Sequence, residues 1–280
     1  MKIIVTGANG QLGSDVVAEL ENNGHTVIPA DIAQLDITDF SAVESFFENV
    51  KPEAVIHCAA YTNVDGAETE KELCRRINAD GTENIARMCQ KHGAKLLYTS
   101  TDYVFSGKGT SEFETDSETS PCNYYGETKL MGENAIKEIC DKYFIVRISW
   151  VFGKNGKNFV KTMLRLSQER DELTVVCDQV GSPSYTPDLA KLFRQMIETE
   201  KYGTYHATNE KFCSWAEFAS EIMNLSGAKT KIIPVSSAEY KTVAVRPLNS
   251  RMSKKSLDDA GFSRLPDWKN ALERFISDLC

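Results

Sequence analysis

The sequence predicts a doubly wound α/β fold: a parallel sheet covered by helices, with a smaller C-terminal α/β substrate domain. Three observations predict it. Short apolar runs alternate with amphipathic helical patterns through residues 1–150, and strands separated by helices need crossovers that make the sheet parallel. The runs are continuously apolar, as expected of strands buried on both faces. A glycine-rich turn joins the first run to the first helical pattern, the arrangement of a Rossmann dinucleotide-binding unit.

Each element follows from its residues. The run 2–6 is β-branched and ends at glycine; 11–23 places Leu12, Val16, Val17 and Leu20 on one helical face. A second strand is expected over 26–29, and a helix over 40–50 with Thr38 or Asp39 as N-cap. Strands follow at 54–58 and 95–100, separated by one long helix over 68–92. A helix over 123–140 and a strand over 143–149 complete the first half. The second half is less regular, with strands at 172–177 and 203–207 and helices at 187–198, 214–225 and 268–279. Residues 151–280 read mostly as the substrate domain, interleaved with the first. Segments near 172–178 and 187–207 are expected to return to the dinucleotide-binding domain. The stretch 111–120 is polar and acidic, an exposed loop.

Composition narrows the function classes. The chain has 280 residues, of which 41% are apolar and 26% charged, a globular balance. With 32 basic and 40 acidic residues the net charge is −8, which argues against nucleic-acid binding through counterion release. No run approaches the roughly 18 apolar residues of a membrane span, and three apolar residues in a row at the start are too few for a signal-peptide core. The expectation is a cytoplasmic protein with no membrane partner. Eight cysteines (58, 74, 89, 122, 140, 177, 213, 280) lie scattered with no C-x-x-C pair and read as reduced core residues. The four histidines form no cluster, so no metal site is expected.

Chemistry concentrates in three places. The turn Gly7-Ala8-Asn9-Gly10-Gln11-Leu12-Gly13 puts bare N–H groups at a helix N-terminus, where a diphosphate can approach. Asp31, after the second strand, suits the adenosine ribose hydroxyls and would repel a 2′-phosphate, favouring NADH with NADPH possible. Asp36-Ile37 offers a polar end and an apolar face to the adenine. Second, Tyr125 and Lys129 stand four apart and share a helical face; a nearby ammonium is expected to lower the phenol pKa. Third, the fourth strand ends Tyr98-Thr99-Ser100-Thr101-Asp102-Tyr103-Val104-Phe105. Its hydroxyls would face the same crevice, beyond the carboxyl ends of the strands, with Thr101 or Ser100 on a carbonyl and Asp102 on a hydroxylated substrate.

Gly7, Gly10 and Gly13, the Tyr125-x-x-x-Lys129 motif and the hydroxyl-bearing strand end together resemble the extended short-chain dehydrogenase/reductase family. The segments His57 to Glu68, Ser100 to Phe105, Arg147 to Gly153 and Arg246 to Arg251 narrow the resemblance to its nucleotide-sugar reductases. The likeness implies reduction of the C4 ketone of a dTDP-sugar, by a monomer or homodimer. It implies Thr101, Tyr125 and Lys129 as the catalytic set. Thr99, Ala59, Ala60 and Tyr61 would line the cofactor, and Asn78 would support the active-site geometry. Val64, Asp65, Tyr103 and Trp150 would meet the substrate. Arg246 and Arg251 are candidates for its diphosphate, since the arginine fork suits phosphate oxygens. The C-terminal tail offers only Asp267, Glu273 and Asp278, with no carboxylate cluster. Two other readings share these residues: a different nucleotide-sugar reductase or epimerase, and a non-catalytic dinucleotide-binding subunit like that of methionine adenosyltransferase.

Overall fold

The computed structural model describes residues 1–279. The chain runs β1 (Lys2–Thr6), α1 (Gln11–Asn22), β2 (Thr26–Ala30), α2 (Phe40–Val50), β3 (Ala54–His57), α3 (Val64–Ala67), α4 (Lys71–Arg75), a π-helical turn (Arg76–Asp80), α5 (Gly81–His92), β4 (Lys95–Thr101), α6 (Tyr124–Ile139) and β5 (Tyr143–Ile148). It continues through β6 (Val151–Phe152), α7 (Phe159–Ser167), β7 (Glu172–Val176), β8 (Val180–Gly181), β9 (Ser184–Tyr185), α8 (Thr186–Ile197), β10 (Gly203–His206), β11 (Cys213–Ser214), α9 (Trp215–Ser226), β12 (Lys231–Val235), α10 (Lys255–Asp259) and α11 (Trp268–Ser277).

The central sheet has the order β10-β5-β4-β3-β1-β2, and every pairing in it is parallel. Alternate residues of each strand face opposite sides. Ile3 and Val5 of β1 therefore pack with α1 and α8 through Leu12, Val16, Leu189 and Phe193. Ile4 packs on the other face with Val43 and Phe47 of α2 and Ile85 of α5. A third core, built from Phe152, Leu173, Phe218, Ile222, Leu272 and Phe275, holds the C-terminal elements together. The chain leaves β1 for β2 on one side and returns to β3 on the other, so a crevice opens at the carboxyl ends of β1 and β3, where open α/β sheets bind ligands.

Two expectations change. The helix expected over 68–92 begins at Lys71 and is interrupted by the π-turn. There Asn78 turns inward: its Oδ1 accepts from Tyr61 N at 2.8 Å, and its Nδ2 donates to Tyr61 O and Thr128 Oγ1, each at 3.1 Å. Such turns are commonly found at functional sites. The 172–178 segment does not return to the central sheet; β7 pairs with β12 as a separate parallel pair, because the third core covers Leu173 and Val175. The 187–207 segment does return, through α8 and β10. Of the two candidate N-caps of α2, Asp39 serves, accepting from Ala42 N at 3.1 Å. Cysteines 58, 74, 89, 122, 140, 177 and 213 are free thiols; Cys280 lies outside the described residues. Among the described residues no helix is long and apolar enough to cross a membrane.

Candidate active site

One cleft of about 1080 Å³ runs along the carboxyl ends of the strands. Its first wall is the glycine turn. Gly7, at φ 64°, donates to Ala30 O at 2.8 Å and accepts from Gly10 N at 2.9 Å. A Cβ on Gly13 would stand 2.1 Å from Gly7 O, so the turn closes only with glycine there. Gly10 caps α1 without a side-chain hydrogen bond, which leaves the helix N-terminus open to an anion. Asp31 Oδ2 accepts from Asn9 N at 2.8 Å; the carboxylate thus braces the turn as well as facing the cleft. Asp36, Ile37, Ala59, Ala60, Gln11 and Leu12 also line it. Thr38 holds the Asp36 carboxyl below its usual range by hydrogen bonds, with Arg76 adding charge.

The other end is the chemical one. Thr99, Thr101, Asp102, Tyr103, Tyr125, Lys129, Val64 and Trp150 converge there. Asn123 caps α6, accepting from Gly126 N at 2.9 Å, and this first turn carries Tyr125. Lys129, one turn on, is buried; its Nζ donates to Thr99 O at 2.7 Å and lies 4.1 Å from the Tyr98 ring centroid. Burial lowers its pKa to about 7, against the pull of Glu133. The expectation of a lowered phenol pKa does not hold. Burial, with the Asp102 charge behind it, pushes Tyr125 up, and only the Thr101 hydroxyl opposes this. The Lys129 ammonium is turned to Thr99 and Tyr98, so it does not outweigh the desolvation of a phenolate. Tyr125 thus stays, like an ordinary tyrosine, a protonated phenol at neutral pH, the form an acid needs.

Asp102 is 4% exposed and fully engaged. Its Oδ1 accepts from Thr101 Oγ1 at 3.0 Å and its Oδ2 from Ser250 Oγ. Burial raises its pKa to about 6, with Ser250 and Thr101 holding it back. Asp102 thus ties the threonine to the C-terminal segment rather than offering a free oxygen. Beneath the site, Glu133 receives Arg147 Nε at 2.9 Å, Arg147 Nη2 at 2.7 Å and Ser100 Oγ at 2.6 Å. Burial acts to raise the Glu133 carboxyl, but Arg147, Ser100 and Lys137 outweigh it and hold it below its usual range.

Six expected residues stand off the cleft lining. Asn9 contributes its backbone to the turn, and Asn78 and Tyr61 bond each other behind it. Asp65 accepts from Arg246 Nη2 at 2.7 Å and from Ala244 N at 3.0 Å, so these two expected substrate ligands pair together. Arg251 turns away over Phe212, at 5.9 Å from its centroid, and bonds Asn249. Sequence reasoning missed Arg76 beside Thr38, Lys157 near Gln11, and Trp215. Trp215 stacks on Trp150 at 3.7 Å between centroids and 14° between planes. Trp150 itself has φ 50°, a conformation that costs a bulky residue on the order of 1–3 kcal/mol and is concentrated at functional sites.

A glycine-lined anion seat leading to a threonine, a tyrosine and a buried lysine defines a class of protein, the nicotinamide-dependent oxidoreductases of the short-chain type. Comparison with known proteins narrows it. The RmlD substrate binding domain family matches residues 1–280, and the chain belongs to that family. It is 39% identical over 277 residues to the spore coat polysaccharide biosynthesis protein SpsK of Bacillus subtilis, covering 99% of this chain and 97% of that one. It is 38% identical over 285 residues to dTDP-4-dehydrorhamnose reductase of Aggregatibacter actinomycetemcomitans, covering 97% of each. Among solved structures it is similar to dTDP-4-dehydrorhamnose reductase of Bacillus anthracis in complex with NADP, with 45% identity, a TM-score of 0.97 and 99% of each chain covered. A UDP-glucose 4-epimerase from Thermus thermophilus, 19% identical with a TM-score of 0.85, shares the fold.

Proposed function

We propose that the protein reduces the C4 ketone of dTDP-4-dehydro-L-rhamnose to dTDP-L-rhamnose with a reduced nicotinamide dinucleotide. The observation that carries this is the protonated Tyr125 beside Thr101 and Lys129, at the end of a cleft that opens on a glycine-lined helix N-terminus. The named reductases above support the substrate.

The cleft fits the cofactor. The uncapped N-terminus of α1 receives the diphosphate, Asp31 the adenosine ribose, and Ile37 the adenine face. Lys129 binds the nicotinamide ribose; Ala59 and Ala60 wall the diphosphate and ribose. When bound, the reduced nicotinamide supplies the hydride to C4. Tyr125 holds its phenolic proton toward the C4 oxygen and donates it as negative charge develops there. Thr101 turns its hydroxyl from Asp102 to the same oxygen, adding a hydrogen bond that strengthens in the transition state. Trp150 and Val64 wall the sugar, with Tyr103, edge-on to Tyr125 at 5.7 Å between ring centroids, beside them. Arg246, released from Asp65 or bridging from it, meets the substrate diphosphate.

NADPH is the preferred donor in this reading and NADH is accepted. A relative of 45% identity is seen with NADP, and Arg76 gives the adenosine end a cation that Asp31 alone would not suggest. A chain of this kind acts in the cytoplasm, where nucleotide sugars and nicotinamide cofactors meet. The test is oxidation of NADPH and of NADH, with and without dTDP-4-dehydro-L-rhamnose. Oxidation that depends on the sugar supports the reaction, and a faster rate with NADH would overturn the donor preference.

A further inference from the structure

The stacked tryptophans join two parts of the fold. Trp150 follows β5 of the central sheet, whereas Trp215 opens α9 in the C-terminal core. Both line the cleft beside Thr101 and Tyr125. The Trp150 backbone stands at φ 50°, and its carbonyl accepts from Ser184 N at 3.2 Å. The indole also packs on Gly181, where an added Cβ would lie 3.1 Å from Trp150 Cε2. Trp215 is anchored in its turn: Ser214 and Glu217 form a capping box around the first turn of α9, and the Trp215 ring rests 4.6 Å from that of Phe159.

We infer that Trp215 is a positioning residue for substrate: by stacking on Trp150 it holds that indole as a rigid wall against the apolar C–H face of the sugar. The inference rests on the reductase reading. An aromatic face attracts polarised C–H groups and excludes water, so a wall held in one place favours a deoxy sugar over one that brings an extra hydroxyl to bury. Without Trp215 the Trp150 side chain has open space on one face and loses its fixed rotamer. The loss falls on sugar binding, because the cofactor end of the cleft does not use either indole.

The experiment joins kinetics to circular dichroism. Two stacked indoles give an exciton couplet, which reports the Trp150–Trp215 pair directly. In the wild-type protein, saturating dTDP-L-rhamnose should change the couplet and NADPH alone should not. Trp215→Leu should lose the couplet and raise KM for dTDP-4-dehydro-L-rhamnose by about tenfold, with a smaller change in kcat and unchanged NADPH affinity. Trp215→Phe should recover most of the KM. An unchanged KM in Trp215→Leu, or a couplet indifferent to dTDP-L-rhamnose, overturns the inference. If Trp215→Leu also loses NADPH affinity, it has lost its fold, and the wild-type couplet decides. Wild-type protein that reduces no sugar while its couplet still answers dTDP-L-rhamnose would sink the reductase reading and leave Trp215 positioning a bound sugar rather than a substrate.

Discussion

At the scale of single residues, the site separates its proton donor from its charges by burial. Desolvation raises the Tyr125 phenol above its ordinary value, so it carries its proton across the neutral range, and removing its hydroxyl removes the acid and little else. Tyr125→Phe should lower kcat by about 10²–10⁴-fold with NADPH affinity retained; stopped-flow turnover and cofactor fluorescence titration check the two halves. Asp102 makes a second, pH-dependent prediction. Its pKa is raised from 3.8 to about 6 in the folded protein, so it stabilises the fold fully below its unfolded pKa and loses that contribution as pH rises through about 6. The difference is about 3 kcal/mol at about 1.4 kcal/mol per pK unit. Asp102→Asn does not titrate; relative to wild type it should therefore gain stability by roughly that amount between about pH 4 and pH 7, measured by urea unfolding. A constant difference across that range would contradict the buried-carboxylate assignment. These residues were legible because their types and spacing carry chemistry: glycines at a strand end, and a tyrosine and lysine four apart. Their electrostatics were not, because the sign of the Tyr125 shift depends on where the Lys129 ammonium points.

At the scale of elements, α6 is the hinge between chemistry and support. One face carries Tyr125 and Lys129 to the cleft; one turn further, Glu133 locks the helix to β5 through Arg147 and to β4 through Ser100. Both partners of the pair are buried. Breaking it leaves an uncompensated guanidinium, so Glu133→Ala should destabilise by about 3–5 kcal/mol, read as a fall in the urea midpoint. A loss below about 1 kcal/mol would mean that water reaches Arg147 in the folded state. The strands and helices of the first half were readable from apolar runs and helical periodicity. The π-turn was not, since an extra residue in a helical turn leaves the composition unchanged; its consequence shows only in the folded chain, where it turns Asn78 onto Tyr61 and Thr128. The short α7 and the partner strand of β7, β12, escaped as well. The run Lys231–Val235 is apolar, but Pro234 inside it reads as loop punctuation, and the strand is a mostly exposed one that pairs only with β7.

At the scale of the whole molecule, the C-terminal segments close the site from above. Ser250 reaches Asp102, Arg246 reaches Asp65, Asn123 Nδ2 donates to Val245 O at 2.8 Å, and Trp215 meets Trp150. The net charge of −8 is therefore no obstacle to an anionic substrate, because the cleft itself carries Arg76, Lys129 and Lys157 along its length. Sequence patterning located the two ends of this arrangement, the glycine turn and the Tyr125 helix. It misplaced Arg251 because loop arginines have no periodicity to aim them. The central claim is that these parts serve one reaction, reduction of a sugar ketone. The most direct test is the absorbance of reduced nicotinamide in the presence of dTDP-4-dehydro-L-rhamnose, with the product identified by mass. The account predicts sugar-dependent oxidation, with one dTDP-L-rhamnose formed for each NADPH consumed. Protein that binds NADPH tightly but leaves the sugar ketone unreduced would contradict it.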